Sequence, residues 1–308
     1  MSAVYSRIRL IMDNFSLQGM GVAVATPFCE DITVDYDALA QLVDRLVRKG
    51  ADYLVALGTT AETPVLAPDE YTEVKRCIAE ANNGRIPLVL GLGGNCTNAI
   101  INKIKNEDLT GFSAILSVVP YYNKPSQEGI YRHFKAIAEA SPLPVVLYNI
   151  PGRTGVNMSA ATTLRLAHDC KNIIGIKEAS GKIDQVREIV SSKPENFEVV
   201  SGDDGLTLEF IRNGAVGVIS VLGNLFPHEF GKMVRSALDN DYNTATLINN
   251  KFKKLYTLLF ADGNPSGVKC GLHALYGINN IVRLPLVPVG EQTALSLNQA
   301  LSELKDIE

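Results

Sequence analysis

Short runs of apolar residues, rich in Val, Ile and Leu, recur along the chain, and each is followed by a segment with helical spacing of apolar positions. The runs are continuously apolar, which is typical of parallel strands that are covered on both faces. They predict eight strands, namely Gly21–Ala25, Tyr53–Leu57, Pro87–Leu92, Ala114–Val118, Pro144–Tyr148, Ile173–Lys177, Glu198–Ser201 and Val216–Val221.

Amphipathic segments between these runs predict helices. The clearest of them are Tyr36–Lys49, Asp69–Asn82, Gln127–Ala140 and Ala160–His168. Residues suited to the start of a helix precede three of them, and glycines suited to helix ends occur at two places. The predicted starts are Asp35, Pro68 and Ser159, and the predicted ends are Gly50 and Gly214.

Eight strands that alternate with helices favour an α/β fold of the (β/α)8 barrel type. The length of 308 residues suits one such barrel. The alternative is an open, doubly wound sheet, but the nearest match to its glycine fingerprint, Gly91–Cys96, has Cys in place of the last glycine. We therefore predict the barrel.

The chain continues well beyond the eighth predicted strand, and this part reads as further helices. They are Glu229–Asn240, Tyr242–Phe260, Pro265–Tyr276 and Glu291–Leu304. The first of them would complete the barrel. We expect an N-terminal arm over residues 1–18, the barrel over 19–240, and a C-terminal helical extension over 241–308 that packs on the barrel.

Composition narrows the class of protein. Hydrophobic residues make up 46% and charged residues 20%, as in a soluble globular protein with a large core. The net charge of −4 comes without a basic stripe, so neither nucleic acid nor a membrane is an expected partner. Five scattered cysteines without a Cys-x-x-Cys pair indicate free thiols in a reducing compartment, and we expect a cytoplasmic protein. The four histidines are far apart in the sequence and form no metal motif.

Lys177 is the most informative candidate for chemistry, because it stands at the end of the predicted strand Ile173–Lys177. Catalytic groups of barrels lie at such strand ends. A lysine stem in an apolar wall loses hydration, which lowers its pKa, and a neutral amine can attack a ketone to form an imine. The alternatives are a lysine whose ammonium stays in water and a lysine paired with Glu178.

Other polar groups follow the neighbouring strands. Tyr148 could shuttle protons near an imine, and Thr59 could relay them, although a core tyrosine is the simpler interpretation. Arg153 follows a Pro-Gly turn and could bind a carboxylate, or form a surface ion pair. Thr60 could help to cradle a small carboxylate, or belong to a plain polar turn. The segment 202–204 could merely turn the chain and cap a helix.

Several motifs in combination resemble the dihydrodipicolinate synthase family, within the superfamily of pyruvate-dependent class I aldolases. The resemblance extends from about residue 20 to the C-terminus. The motifs are Gly-Thr-Thr-Ala-Glu at 58–62, Pro-Tyr-Tyr-Asn-Lys-Pro at 120–125, Tyr-Asn-Ile-Pro-Gly-Arg-Thr-Gly at 148–155, Gly-Ile-Lys-Glu-Ala at 175–179, Ser-Gly-Asp-Asp at 201–204 and Gly-Val-Ile-Ser at 217–220.

The resemblance implies a role for each matching residue. Lys177 would form the imine with pyruvate, and Tyr148 would donate and accept protons. Thr59 and Tyr122 would complete the proton relay, with Tyr122 reaching in from a neighbouring subunit. The substrate-binding residues would be Thr60 and the backbone at Ile219 for pyruvate, Gly202, and Arg153 for the carboxylate of L-aspartate 4-semialdehyde.

The resemblance also implies a homotetramer built as a dimer of dimers, no metal or organic cofactor, and a place in lysine and diaminopimelate synthesis. Two other interpretations remain. One is another pyruvate-dependent aldolase, such as an N-acetylneuraminate lyase or a keto-deoxy-sugar aldolase, which would keep Lys177 and Tyr148. The other is a non-catalytic pyruvate-binding protein on the same scaffold.

The chain departs from the family pattern at two places. Ala61 stands where many members have glycine, which would narrow the backbone freedom of that turn. Lysine-inhibited members carry polar groups or histidine at positions that Pro68 and Tyr71 occupy here, and a glutamate where Ala99 stands. Asn95 and Tyr121 are retained, but the changes at the other positions lead us not to expect strong inhibition by lysine.

Overall fold

The computed structural model describes residues 15–304. Its eight parallel strands form a closed barrel in sequence order. The strands are β1 (Gly19–Ala23), β2 (Tyr53–Ala56), β3 (Leu88–Gly91), β4 (Ala114–Val118), β5 (Val145–Asn149), β6 (Ile173–Glu178), β7 (Glu198–Ser201) and β8 (Gly217–Ser220). The predicted (β/α)8 barrel is therefore confirmed, and the open sheet is wrong. Residues 1–14 of the predicted arm lie outside the described residues.

Helices follow the strands, and more helices follow β8. They are α1 (Tyr36–Arg48), α2 (Pro68–Asn82), α3 (Thr97–Asn106), α4 (Gln127–Ala140), α5 (Pro151–Thr154), α6 (Ala160–Asp169), α7 (Ile183–Ser192), α8 (Thr207–Arg212), α9 (Pro227–Leu238), α10 (Tyr242–Leu258), α11 (Ser266–Tyr276) and α12 (Glu291–Ser302). Every helix named from the sequence is found. Helix α4 matches its predicted range, and the ends of the other helices differ from the predicted ones by no more than two residues.

Local chemistry explains the helix ends that the sequence predicts. The Asp35 carboxylate accepts a hydrogen bond from the Ala38 amide at 2.9 Å, and so caps the N-terminus of α1. The Ser159 hydroxyl caps α6 in the same way, through the Thr162 amide at 3.2 Å. After α1 the chain turns at Gly50, where φ is +89°, a conformation that glycine adopts without steric cost.

Strand β1 begins and ends two residues before the predicted Gly21–Ala25. Its extent is set by pairing with β2, in which Gly21 is the register partner of Tyr53. The Met20 amide donates to the Asp52 carboxylate at 2.7 Å, and the Asp52 amide donates back to the Met20 carbonyl at 2.9 Å. A pairing partner 32 residues away fixes the position of this strand, and its own apolar pattern therefore misplaced it.

The described chain contains two compact units, the first of which comprises the residues up to Gln18 together with Pro87–Ile219. Leu17 is fully buried there, and its amide donates to the Glu198 carboxylate at 2.5 Å. The Ser16 hydroxyl donates to the same carboxylate at 2.6 Å. The last residues of the predicted arm are thus anchored to the start of β7.

The second unit comprises Gly19–Ile86 and the chain from Ser220 onwards. Within it, α11 packs closely on the segment after β8, because the Tyr276 hydroxyl donates to the Leu225 carbonyl at 2.6 Å. The Arg45 guanidinium of α1 lies 3.8 Å from the centre of the Tyr276 ring. These contacts support a packed C-terminal extension, and the predicted division at residues 18 and 240 stays a prediction. Between residues 15 and 304, no helix is long and apolar enough to cross a membrane.

Candidate active site

Lys177 and Tyr148 are neighbours across the β5–β6 pairing. They are register partners on the two strands, and the Lys177 Nζ lies 4.5 Å from the centre of the Tyr148 ring. Both side chains are almost fully buried, at 5% and 6% exposure. The parallel pairing places the two side chains on the same side of the sheet, so the amine and the phenol share one environment.

Burial lowers the pKa of Lys177 from 10.5 to about 8. The main cause is desolvation of the ammonium form; the nearby Asp204 carboxylate opposes it, and the Arg153 guanidinium adds to it. At pH 7 about one amine in ten would then be neutral, against about one in three thousand for an ordinary lysine. The site therefore supplies an amine that can act as a nucleophile near neutral pH.

Glu178 does not pair with Lys177, because consecutive residues of a strand point to opposite faces. Its buried carboxylate accepts hydrogen bonds from the Asn149 amide group at 3.0 Å, from Gln185 Nε2 at 2.9 Å and from the Ser180 backbone amide at 2.7 Å. The interpretation of Lys177 as a partner of Glu178 is therefore wrong. Burial of Lys177 likewise excludes a lysine whose ammonium lies in water.

Gly202 follows β7 and leaves room for the lysine stem. A Cβ at this position would lie 2.7 Å from the Ala179 Cβ and 3.0 Å from the Lys177 Cε. Any larger residue would therefore have to displace the Lys177 side chain. The sequence predicts Gly202 as a substrate-binding residue, and the structure places it against the amine-bearing side chain itself.

Asp203 and Asp204 have different surroundings. The Asp203 carboxylate accepts from the backbone amides of Gly205 and Leu206 at 2.9 and 3.3 Å, which is the capping role expected from the sequence. Asp204 is buried, and its charge acts on Lys177. Sequence reasoning missed this carboxylate; its place two residues beyond Gly202 is the signal that could have found it.

Arg153 lies on the short helix α5, directly after β5. The turn closes at Gly155, where φ is +75°. The Arg153 side chain is exposed, yet it is close enough to lower the pKa of the buried Lys177. The first unit thus brings together Lys177, Tyr148, Arg153 and Gly202 from the predicted site, while Ile219 is buried near the end of β8.

The threonine motif belongs to the second unit and forms a short 3-10 helix, Thr59–Ala61. Thr59 is exposed, whereas Thr60 is only 2% exposed and accepts a hydrogen bond from Asn264 Nδ2 at 3.0 Å. The left-handed position of this turn is Glu62, with φ +55°, and not Ala61. Alanine in place of the usual glycine therefore imposes no strain here.

Glu62 and Lys269 form a buried ion pair with 2.5 Å between Oε1 and Nζ, and both side chains are 1% exposed. The Arg283 backbone amide donates to Glu62 Oε2 at 3.0 Å, and the Arg283 side chain binds Glu70. Burial lowers the pKa of Lys269 to about 8, with Glu62 opposing the shift. These contacts join the threonine motif to residues more than 200 positions away, which sequence reasoning missed.

Tyr122 is 88% exposed and adopts a left-handed backbone conformation, with φ +76°. An aromatic residue in this region is uncommon and costs on the order of 1 kcal/mol. The Tyr121 carbonyl beside it accepts from Asn95 Nδ2 at 3.3 Å. A strained loop therefore holds the Tyr122 phenol out into solvent in the single chain.

No group of three or more His, Cys, Asp or Glu suited to a metal ion occurs among residues 15–304. His133 is buried, and its Nδ1 lies 2.9 Å from the Thr97 hydroxyl. Burial lowers the pKa of His133 to about 4, so that its ring is neutral at physiological pH. His133 lies on α4 and faces Thr97 at the start of α3, which is the position of a packing residue.

Comparisons with known proteins match nearly the whole chain. Residues 16–304 match the model of the dihydrodipicolinate synthetase family. The 4-hydroxy-tetrahydrodipicolinate synthase of Phocaeicola vulgatus is 59% identical over 94% of this chain and 97% of its own. The crystal structure of dihydrodipicolinate synthase from Aquifex aeolicus superposes with a TM-score of 0.90 at 39% identity, covering 93% of this chain and 98% of that one. A solved variant described as the first monomeric dihydrodipicolinate synthase has a TM-score of 0.90 at 37% identity, with 93% and 96% coverage.

Proposed function

This chain belongs to the dihydrodipicolinate synthetase family, and from that membership we propose that it condenses pyruvate with L-aspartate 4-semialdehyde. The product would be 4-hydroxy-tetrahydrodipicolinate, made in the cytoplasm for lysine and diaminopimelate synthesis. The observation that carries the proposal is the buried Lys177 amine, with its pKa lowered to about 8, beside the Tyr148 ring.

The chemistry starts with the neutral Lys177 amine, which attacks the ketone carbon of pyruvate. Loss of water gives a protonated imine, which acts as an electron sink. Removal of a methyl proton then gives the enamine, whose carbon attacks the aldehyde of the semialdehyde and forms the new carbon–carbon bond. Finally, the amino group of the semialdehyde attacks the imine carbon, closes the ring and releases Lys177.

Tyr148 would move the protons of these steps, since its phenol shares the buried environment of Lys177. Thr59 and Tyr122 would complete the relay. The 88% exposure of Tyr122 supports a role in the site of a neighbouring subunit, because a phenol that projects into solvent can reach into another subunit. We propose a homotetramer built as a dimer of dimers, in contrast to the solved relative that is described as a monomeric variant.

The remaining predicted residues would bind the substrates. Thr60 and the backbone at Ile219 would hold the pyruvate part, Gly202 would contribute to the same substrate site, and Arg153 would bind the carboxylate of the semialdehyde. The exposed guanidinium on α5 supports the role of Arg153, since it can form two parallel hydrogen bonds with a carboxylate. None of these steps calls for a metal or an organic cofactor.

The names of the curated relatives favour the synthase over an N-acetylneuraminate lyase or a keto-deoxy-sugar aldolase. The two kinds of enzyme differ in the aldehyde that they accept. Supplying aspartate semialdehyde and then N-acetylmannosamine, each with pyruvate, separates them. We expect turnover with the semialdehyde, and turnover with N-acetylmannosamine alone would overturn the assignment.

Trapping with borohydride tests the imine directly. With pyruvate present, we expect one pyruvate-derived adduct, located on Lys177 by peptide mass spectrometry. Lys269 is an internal control, because it is also buried with a lowered pKa but is ion-paired with Glu62. Modification of Lys269 instead of Lys177, or of neither lysine, would reject the mechanism. An unmodified protein that still binds pyruvate would favour a non-catalytic binding role.

A further inference from the structure

The C-terminal part of the chain supplies a polar contact to the threonine motif. Asn264 lies just before α11, and its Nδ2 donates to the Thr60 hydroxyl oxygen at 3.0 Å. Both side chains are buried, at 5% and 2% exposure, so water does not compete for this hydrogen bond. The geometry of this hydrogen bond therefore determines in which direction the Thr60 hydroxyl can donate its proton.

A hydroxyl group has one proton to donate and two lone pairs that accept. When the Asn264 amide occupies a lone pair of Thr60, the hydroxyl proton has to point elsewhere. That proton is then available to an acceptor such as a carboxylate oxygen, and a hydrogen bond to a charged acceptor is among the stronger ones.

We infer that Asn264 is a positioning residue for pyruvate binding, which acts by orienting the Thr60 hydroxyl so that it donates to the substrate carboxylate. The inference rests on the proposed function, in which Thr60 holds pyruvate. It assigns part of the substrate site to the helical extension, outside the motifs that carry the family resemblance.

A second pair of contacts keeps this arrangement in place. Lys269, one turn into α11, forms the buried ion pair with Glu62, two residues beyond Thr60. The Arg283 backbone amide binds the other oxygen of the Glu62 carboxylate. The turn that carries Thr60 is thus tied to the extension at two points, so the distance from Asn264 to Thr60 is fixed by a rigid framework.

Two substitutions of Asn264 separate orientation from packing. Asn264→Asp keeps the shape but replaces the donor with an acceptor, which would capture the Thr60 proton. Asn264→Ala removes the partner without adding a charge. In borohydride trapping at varied pyruvate, we expect both variants to raise the half-saturating pyruvate concentration by about tenfold or more. In steady-state kinetics, KM for pyruvate should rise more than kcat falls.

A double-mutant cycle shows whether Asn264 acts through Thr60. Thr60→Ser keeps the hydroxyl and should remain sensitive to Asn264→Ala, whereas Thr60→Val lacks it and should not respond further. Asn249→Ala is the matched control, because it removes an amide partner of the Tyr256 hydroxyl within the same unit. We expect it to leave the pyruvate dependence unchanged. Circular dichroism of every variant reports whether it has folded.

The possible outcomes are distinct. Absence of the Lys177 adduct in the wild-type protein would reject the proposed function itself. A normal adduct in the wild type, with unchanged pyruvate dependence in both Asn264 variants, would reject this inference alone. Additive effects of Asn264→Ala and Thr60→Val would also reject it. If the Asn264 variants do not fold, Thr60→Val still tests the premise that the Thr60 hydroxyl binds pyruvate. An unchanged pyruvate dependence of Thr60→Val would reject that premise and the inference with it.

Discussion

Asn149 and Glu178 are register partners one residue beyond Tyr148 and Lys177, and the Asn149 Nδ2 donates to both oxygens of the Glu178 carboxylate, at 3.0 and 3.2 Å. Side chains alternate along a strand, so this contact lies on the opposite face from the amine and the phenol. It fixes the register of β5 against β6, and with it the separation of Lys177 from Tyr148.

Glu178→Gln should therefore destabilise the protein, although it conserves shape. The NH2 group of the new glutamine would face the N–H donors of Asn149, Gln185 or Ser180. At least one of these buried donors would then lose its acceptor. We expect the free energy of unfolding in urea to fall by about 2 kcal/mol. Glu188→Gln on the exposed side of α7 is the control, with a change within about 0.5 kcal/mol. Equal effects of the two substitutions would contradict the structural role of Glu178.

The rate of imine formation should depend on pH through Lys177. Its pKa is lowered to about 8, so the neutral amine accumulates as the pH rises toward 8. At subsaturating pyruvate, the initial rate of borohydride-trapped adduct should rise up to about pH 8–9 and then level off. With Nα-acetyl-lysine as a control amine, the initial rate of adduct formation should continue to rise toward pH 10. A protein profile that follows this control would show that the Lys177 pKa is not lowered.

Replacing Lys177 should stabilise the fold while it abolishes catalysis. The pKa is lowered from 10.5 in the unfolded chain to about 8 in the folded protein, so the folded state disfavours the proton. At pH 7, Lys177→Met should raise the free energy of unfolding by on the order of 2–3 kcal/mol. Wild-type stability should recover part of this difference as the pH rises from 8 to 10.5. Urea denaturation at pH 7 and pH 10 measures both effects, and a gain that grows at pH 10 would contradict the sign.

Gly202→Ala should impair imine formation without a general loss of structure. The added Cβ would lie 3.0 Å from the Lys177 Cε and 2.7 Å from the Ala179 Cβ, so the lysine stem has to move. Displacement of the attacking amine by about 1 Å can lower the rate of adduct trapping by about a hundredfold. Gly94→Ala is the matched control, because its nearest neighbour, an Ile100 side-chain atom, is 3.7 Å away. A Gly202→Ala protein with normal trapping would show that Lys177 tolerates the shift.

Lys269→Met should be strongly destabilising, since it leaves the Glu62 carboxylate buried without its cation. Removing one partner of a buried ion pair costs about 3–5 kcal/mol. Lys254→Met breaks an exposed pair with Glu303, whose side chains are 67% and 48% exposed, and should cost less than about 1 kcal/mol. Thermal unfolding of both variants gives the comparison. Similar melting temperatures would mean that Glu62 finds another partner.

The apolar runs predict all eight strands because parallel strands covered on both faces leave a strong local signal. Helix α4 is predicted to the residue, since its amphipathic pattern and its ends are both local. Strand β1 is misplaced because Gly19 and Met20 precede the apolar run, and the strand is defined by its pairing with Tyr53 on β2 and by Asp52, the residue before β2. Local patterns thus predict the elements and the ends of a helix such as α4, whereas the ends of a strand depend on the strand with which it pairs.

The same limit applies to the candidate site. Lys177 could be singled out because a charged residue at the end of an apolar run stands out in the sequence. Glu178 looked like its partner because the two are adjacent, yet strand geometry sends them to opposite faces. Asn264 and Lys269 could not be assigned, since they meet the threonine motif only after folding brings together residues far apart in sequence.

The contacts of Asn264 and Lys269 limit how this protein can be recombined with its relatives. A chimera that takes its last 70 or so residues from another family member would inherit a new α11 but keep the old threonine turn. If the two parents differ at either contact, the hybrid loses a buried charge partner or a buried amide donor. Exchangeable blocks in this chain are therefore discontinuous in sequence, and a graft of the C-terminal helices has to carry residues 58–62 with it.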